Sequence, residues 1–252
     1  MENLPALLQE GLRHGLLGSS LENIESLLAA HPESYERSSI AELASSGNWE
    51  ELNNRFFRTL AFGTGGLRGK TIGTVVTAAE RGTPQAMDRP QFPCTGTNAM
   101  NDRNVSRATQ GLVAYVKEWA RREKLPSRPR ICISYDTRYF SREFADLAAK
   151  VITELGCDAL VFAEPRPTPE LSFAVRQTDA TAGINLTASH NPPAYNGYKV
   201  YFNDGGQVVE PHASGIIAMA NAVQSPHYEP LPPDEQGRRV TLGAEMDEAY
   251  LD

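Results

Sequence analysis

The chain has 252 residues, 40% of them hydrophobic and 22% charged, with 24 basic against 31 acidic side chains and a formal net charge of -7. A chain of that size can bury a sizeable core, as one large domain or one ordinary domain with appendages. The composition is that of a soluble globular protein, and the acidic balance argues against a nucleic-acid binder, whose affinity rests on a basic footprint. Cys94, Cys132 and Cys157 are odd in number, widely spaced and free of any CxxC pair. They suit neither a disulfide framework nor a zinc site, and they fit a reducing cytoplasm. The N-terminus has Glu2 and no apolar leader segment, and no run approaches the roughly 18 apolar residues of a membrane span, so a soluble, unexported, cytoplasmic protein is expected.

Residues 1 to about 60 read as helical. Ser20 is placed to cap SLENIESLLAA, whose Leu21, Ile24, Leu27 and Leu28 make one apolar stripe before His31-Pro32 stops it. In NWEELNNRFFRTLAF, Trp49, Leu52, Phe56 and Leu60 recur at helical spacing. From Ala61 the chain turns glycine-rich and then β-branched, in FGTGGLRGKTIGTVV. A polar stretch from Glu80 to Asn104 follows without a clear period; loops of that length inside a domain are usually functional or mobile. VSRATQGLVAYVKEWARR is an amphipathic helix with Gly111 as its weak point.

The centre alternates regularly. RICISYD is a strand; SREFADLAAKVITELG is a helix with Ser141 at its start and Gly156 at its end; DALVFA is a strand. TPELSFAVRQ is a helix capped by Thr168 with Pro169 in its first turn, and AGINLT is a strand. Crossovers of this length predict a sheet that is parallel at least here, with right-handed connections. YKVYF adds a strand, NDGG a turn, and PHASGIIAMANAV a helix to about Val223. QSPHYEPLPPDEQGRRV reads as a proline-rich linker, and GAEMDEAYLD as the start of another helix, which suggests further sequence downstream.

Ligands of open α/β sheets sit beyond the carboxyl ends of parallel strands. Asp136 and Arg138 of YDTR, the Glu164 to Thr168 segment, and Ser189-His190 all fall there. The serine lies in TASHNPPAYNGYKVYFNDGG, a loop stiffened by Pro192 and Pro193 and expected to close at Asn196-Gly197, a pair tolerant of positive φ. A hydrolase would need His190 as base, but adjacent side chains rarely align for it, and no GxSxG elbow is present. A plain hydroxyl turn with a surface histidine is the alternative. GTGGLRGK sets free backbone amides beside Arg68 and Lys70, a composition suited to an anion or to a tight turn, without Walker A spacing. The five histidines are scattered and there is no DxDxD run, so any divalent ion would find most of its ligands elsewhere. Asp136-Thr-Arg138 reads as an Asx turn with a local ion pair, and Trp119 as core.

TASHNPPAYNGYKVYF resembles the phosphoserine loop of the α-D-phosphohexomutases, the phosphoglucomutase and phosphomannomutase superfamily, and FGTGGLRG resembles that family's N-terminal active-site turn, in the same order. MNDRNVSRATQGLVAYV, ISYDTR and NGYKVYFNDGGQVVEPH are similar to the branch with phosphoglucomutase-2 and phosphopentomutase. The likeness spans about Phe56 to Val223.

The resemblance implies an α/β fold: a three-layer α/β/α domain with a mostly parallel mixed sheet over 61–223, a helical extension over 1–60, and a linker with the start of a second domain over 224–252. It implies an intramolecular phosphotransferase in which Ser189 is carried as phosphoserine, passes its phosphoryl group to a sugar monophosphate, and is rephosphorylated from the bisphosphate. Ser189, His190, Lys199 and Arg68 would be catalytic, with the general base left open among the last three. Thr64, Gly65, Arg68, Asn191 and Lys199 would hold phosphate or substrate. Mg²⁺ would be bound through the phosphoryl group of Ser189, with its aspartate ligands in a downstream domain of the same enzyme, and a sugar 1,6-bisphosphate would serve as activator. No DGDxDR-like or DPDxDR-like loop is present here, so this stretch is expected to be a catalytic-serine domain inactive alone. A non-catalytic sugar-phosphate-binding module of the same fold is the alternative.

Overall fold

The computed structural model describes residues 3–30, 34–63, 65–83, 85, 88–125 and 128–252. The expected stop at His31-Pro32 lies outside them. The chain forms two compact units, residues 1–60 with 69–101, and residues 61–68 with 102–252.

In the first unit, α1 (Leu4–Gly11), α2 (Gly18–Ala30), α3 (Tyr35–Ser45) and α4 (Trp49–Phe56) bury one stripe each, with Leu8, Ile24, Leu27, Ile40, Leu52 and Phe56 in a shared core. Ser20 is not the cap of α2. The helix begins two residues earlier, anchored where the Leu17 N–H donates to Asn53 Oδ1 at 2.9 Å, and Ser20 is wholly buried in its first turn. Nor does α4 reach Leu60: the backbone N–H of Leu60 donates to the Thr97 carbonyl at 2.8 Å, which draws the chain out of the helix.

The polar stretch after Glu80 is tied down. Thr77 and Glu80 form a capping box on the short α5 (Ala78–Arg81). Arg55, 3% exposed, sits between Glu51 at 2.9 Å and Glu80 at 2.5 Å. Removing the cation would leave two carboxylates buried without their partner, so Arg55→Ala is expected to cost about 3–5 kcal/mol in denaturant unfolding.

In the second unit the strands are β1 (Leu67–Lys70, shared with the first unit), β2 (Arg130–Tyr135), β3 (Asp158–Phe162), β4 (Ala182–Leu186), β5 (Tyr195–Phe202) and β6 (Arg239–Leu242), in the order β1-β5-β4-β2-β3-β6. Strands β2, β3, β4 and β6 are parallel, and β5 runs antiparallel to β4. The helices are α6 (Asp102–Arg122), α7 (Ser141–Glu154), α8 (Thr168–Gln177), α9 (His212–Ala222) and α10 (Ala244–Leu251). Right-handed crossovers through α7 and α8 to opposite neighbours of β2 put these two helices on opposite faces, giving the expected three layers. One face packs Leu171, Ala174 and Val175 of α8 and Met246 of α10 on Cys132, Leu160 and Phe162.

The ends of α7 and the start of α8 differ in detail from the sequence reading. Ser141 is the first helical residue of α7, after Phe140 at φ +65, and its hydroxyl donates to Asp136 Oδ1 at 2.8 Å instead of capping. Gly156 ends α7 as expected, at φ +88, with the N–H groups of Gly156 and Cys157 returning to Thr153 and Ile152. Thr168 makes no cap either; its hydroxyl accepts from Asn185 Nδ2 at 2.8 Å.

Residues 224–252, expected from sequence to be a linker and the start of a second domain, carry β6, which pairs with β3, and α10. Bonds from Leu231 N to Glu154 O and from Gly237 N to Thr153 O lay the proline-rich run against the end of α7, and β6 then pairs with β3 from Ala159↔Arg239 to Phe162↔Leu242.

Tyr115 and Trp119 of α6, Phe202 of β5 and His212 of α9 form an aromatic cluster. The His212 ring stacks on Phe202 at 3.8 Å, and its Nδ1 is 2.8 Å from the Tyr115 hydroxyl. Burial, and then the positive charge of Arg122, lower the His212 pKa, against Asp204 and Glu123. An imidazole with a folded pKa below its unfolded value binds fewer protons folded than unfolded, so its contribution is present above about pH 6.5 and is lost as the pH falls. The melting temperature is therefore expected to drop between about pH 7 and about pH 5. Melts of His212→Phe, which keeps the stack, should show a flatter slope; an unchanged slope would place the titration elsewhere.

Candidate functional site at the carboxyl end of the sheet

The antiparallel return of β5 sets Lys199 opposite Asn185. The loop between β4 and β5 then carries Ser189 back over the strand end. Lys199 Nζ donates to Ser189 Oγ at 2.5 Å, across ten residues of chain. Ser189 is exposed and Lys199 half-buried, so the hydroxyl faces solvent with a cation behind it.

The loop is held by its own hydrogen bonds. Ser189 N donates to Thr187 Oγ1 at 3.0 Å, Asn191 N and Nδ2 both donate to the Ala188 carbonyl at 3.1 and 2.9 Å, and Tyr195 N donates to the Pro192 carbonyl at 3.0 Å. Asn196 and Gly197 do not close the loop with positive φ, as expected from sequence; they belong to β5. The left-handed residue is Ser189 itself, at φ +53. Asn196 is buried, donating to the Tyr139 carbonyl and to Ser141 Oγ, each at 2.9 Å. Gly197 is glycine because a Cβ there would lie 2.6 Å from the Thr187 carbonyl oxygen and 2.9 Å from that of Leu67.

The N-terminal turn reaches the same place. Gly63 and Gly66 exchange both backbone hydrogen bonds, at 2.9 and 2.8 Å, and Gly66 has φ +112. A Cβ on Gly66 would sit 1.8 Å from the Tyr198 carbonyl oxygen, so the turn abuts β5 one residue before Lys199. Gly65 lies on this turn, and Thr64 falls outside the described residues. Arg68 follows on β1, next to β5 in the sheet and exposed. Neither Arg68 nor the exposed His190 makes a side-chain hydrogen bond or ion pair among the described residues, and the partner of the serine hydroxyl is Lys199, not the adjacent histidine.

Arg138 does more than the local pairing that its sequence position suggests. The Asx turn and the ion pair are both there, with Arg138 N donating to Asp136 Oδ1 at 2.9 Å and Nε 3.3 Å from Oδ2. The guanidinium also donates to the carbonyls of Ser189 (2.6 Å), Asn191 (2.7 Å), Pro192 (3.0 Å) and Tyr195 (3.1 Å). The signals in the sequence were the ISYDTR likeness and position, since YDTR ends the strand that neighbours β4. Of the Glu164 to Thr168 segment, Thr168 reaches toward this site through Asn185, while Arg166 turns away to pair with Asp247 of α10 at 2.6 Å.

The arrangement offers an accessible hydroxyl, an ammonium in contact with it, and an exposed guanidinium on the edge strand, which suits a group that gains and loses a phosphoryl anion. The donors do not amount to a Mg²⁺ site by themselves. Among the described residues no group of three or more His, Cys, Asp or Glu could hold a metal ion, and Asp136 spends its oxygens on Arg138 and Ser141.

Residues 94–227 match the family model for phosphoglucomutase/phosphomannomutase, alpha/beta/alpha domain I. The chain is 38% identical over 155 residues to a probable phosphomannomutase of Haemophilus influenzae, covering 60% of this chain and 30% of that protein. It is 34% identical over 199 residues to the phosphopentomutase of Homo sapiens, covering 77% and 28%. Among solved structures, a phosphomannomutase-type protein from Thermus thermophilus matches with a TM-score of 0.52 and 26% identity, over 74% of this chain and 33% of that one. The match over more than half of its length makes this chain a member of the phosphoglucomutase/phosphomannomutase family, represented by its domain I. It spans about a third of the length of the relatives it matches.

The close approach at Gly66 is testable. Gly66→Ala adds a backbone clash to a left-handed strain and is expected to cost at least about 2 kcal/mol in denaturant unfolding, where Gly65→Ala, with only the Gln207 side chain 3.1 Å from the new Cβ, should cost less.

Proposed function

We propose that this chain presents Ser189 as the phosphoryl carrier of a sugar-phosphate mutase, an isomerase that interconverts a sugar 1-phosphate with the 6-phosphate, or a pentose 1-phosphate with the 5-phosphate. The observation that carries this reading is the 2.5 Å contact between Lys199 Nζ and Ser189 Oγ.

In the forward step the bond between phosphorus and Ser189 Oγ breaks as one forms to a sugar hydroxyl oxygen. The hydroxyl proton leaves to a base, and Lys199 stabilises the departing serine oxygen by hydrogen bond and charge. The bisphosphate then returns its other phosphoryl group to Ser189, so phosphate is conserved over the cycle. His190, exposed beside the serine, and Arg68, exposed on β1, are available to the sugar hydroxyl and the transferring oxygens. Phosphoryl transfer asks mainly for position and charge neutralisation, and both are supplied here by a braced loop with cations.

Mg²⁺ on the phosphoserine oxygen would add charge neutralisation, with the other ligands coming from a further domain of the same enzyme. Selection among hexose and pentose phosphates is assigned to regions of the relatives that this chain does not span. The same holds for turnover, which is not expected of these residues alone. A sugar 1,6-bisphosphate is the expected phosphoryl donor to an unphosphorylated Ser189.

Incubation of the chain with glucose 1,6-bisphosphate and Mg²⁺, followed by intact-mass measurement, should show one added phosphoryl group. Ser189→Ala should take up none, and Lys199→Met should slow uptake by roughly a hundredfold or more with little change in melting temperature. Unchanged mass across a range of sugar bisphosphates would leave a sugar-phosphate-binding module in place of a carrier.

A further inference from the structure

We infer that Arg138 is the positioning residue of the serine loop: it holds Ser189 in its left-handed conformation, so that Oγ faces Lys199. The functional part of this inference rests on the phosphoserine reading; the structural part stands on geometry alone.

A left-handed backbone at a non-glycine residue is uncommon and unfavourable, and it persists only where the surroundings over-determine it. Ser189, at φ +53, has one local restraint, the bond from its N–H to Thr187 Oγ1. Its carbonyl points to Arg138 Nη2 at 2.6 Å, and the same nitrogen takes the Asn191 carbonyl at 2.7 Å. Nη1 takes Pro192 and Tyr195 at 3.0 and 3.1 Å. One planar fork thus gathers four carbonyls from both arms of the loop, at positions 51 to 57 residues away in sequence. A lysine is a compact point charge and cannot satisfy them together.

The fork is itself fixed. Asp136 receives Arg138 Nε and N and also the Ser141 hydroxyl, and Ser141 Oγ accepts from Asn196 of β5. The brace therefore runs from the end of β2, through the loop, to the strand that carries Lys199. Its charge is matched by Asp136 and its donors are turned to backbone, so Arg138 sets the direction of Oγ without touching it. Four carbonyls drawn to one cation also have their oxygens turned from the outer face of the loop, where a phosphoryl anion would meet them with repulsion.

The test uses Arg138→Lys and Arg138→Ala in the 252-residue chain. Amide hydrogen exchange at Ser189, Asn191 and Tyr195 is followed by NMR, beside core amides of β2 and β4, the melting temperature, and the rate of phosphoryl uptake from glucose 1,6-bisphosphate. Exchange at the three loop amides should accelerate about tenfold or more in both variants, with core amides little changed. Phosphoryl uptake should slow while its final extent stays at one group. Guanidinium ion at low, non-denaturing concentration should restore loop protection to Arg138→Ala and not to Arg138→Lys. Unchanged loop exchange in both variants, or acceleration shared equally by the core, overturns the assignment. If the unaltered chain takes up no phosphate, the phosphoserine reading falls instead, and the exchange comparison still decides the role of Arg138.

Discussion

Everything at the site depends on the reversal between β4 and β5. Parallel strands deliver side chains to one end of a sheet but cannot bring a residue ten positions further along the chain back to the one before it. Because β5 runs antiparallel to β4, with Lys199 paired to Asn185, the ammonium returns under the loop that holds Ser189. A one-residue slip in that register would turn Lys199 to the other face of the sheet, where Tyr198 now lies buried against Thr109 of α6. The glycines guard the register. Gly197 leaves room for Thr187 and Leu67 to close on β5, and Gly66 lets the N-terminal turn approach the Tyr198 carbonyl.

The cations near the serine divide their labour by how their charge is used. Arg138 is matched by Asp136 and gives its donors to loop carbonyls, so it shapes the loop. Lys199 is half-buried against the hydroxyl, and Arg68 is exposed on the neighbouring edge strand, so their charge is available to an anion in front of Ser189. The chain as a whole carries a net charge of -7, so these two side chains set a local positive field against an acidic background.

Membership of the phosphoglucomutase/phosphomannomutase family accounts for the sheet and for the order of the motifs. The N-terminal unit is built differently, from the helices α1 to α5 and a buried cluster of Arg55 with Glu51 and Glu80 that ties the long polar stretch to α4. Glu80, at the head of that stretch, is therefore polar because it is paired internally. Burial supplies the reason: a fully desolvated carboxylate requires its cation, and once paired the two hold distant segments together.

The sequence by itself determined the central alternation of strands and helices and, through motifs contiguous in the chain, the family and the three layers that the resemblance implies, because these rest on local periodicity and on neighbouring residues. It determined the end of α7 at Gly156 for the same reason, since a left-handed C-terminal residue is a local demand. Only the tertiary structure decided where long-range partners compete with local ones. Ser20, Ser141 and Thr168 look like caps, yet tertiary packing buries the first and the others spend their hydroxyls on Asp136 and Asn185. The proline-rich run looks like a linker, yet it leads β6 onto β3. Arg138 looks like a local ion pair, yet it grips carbonyls more than fifty residues away. Backbone carbonyls have no residue identity, so a side chain that binds them leaves no complementary letter in the sequence to find.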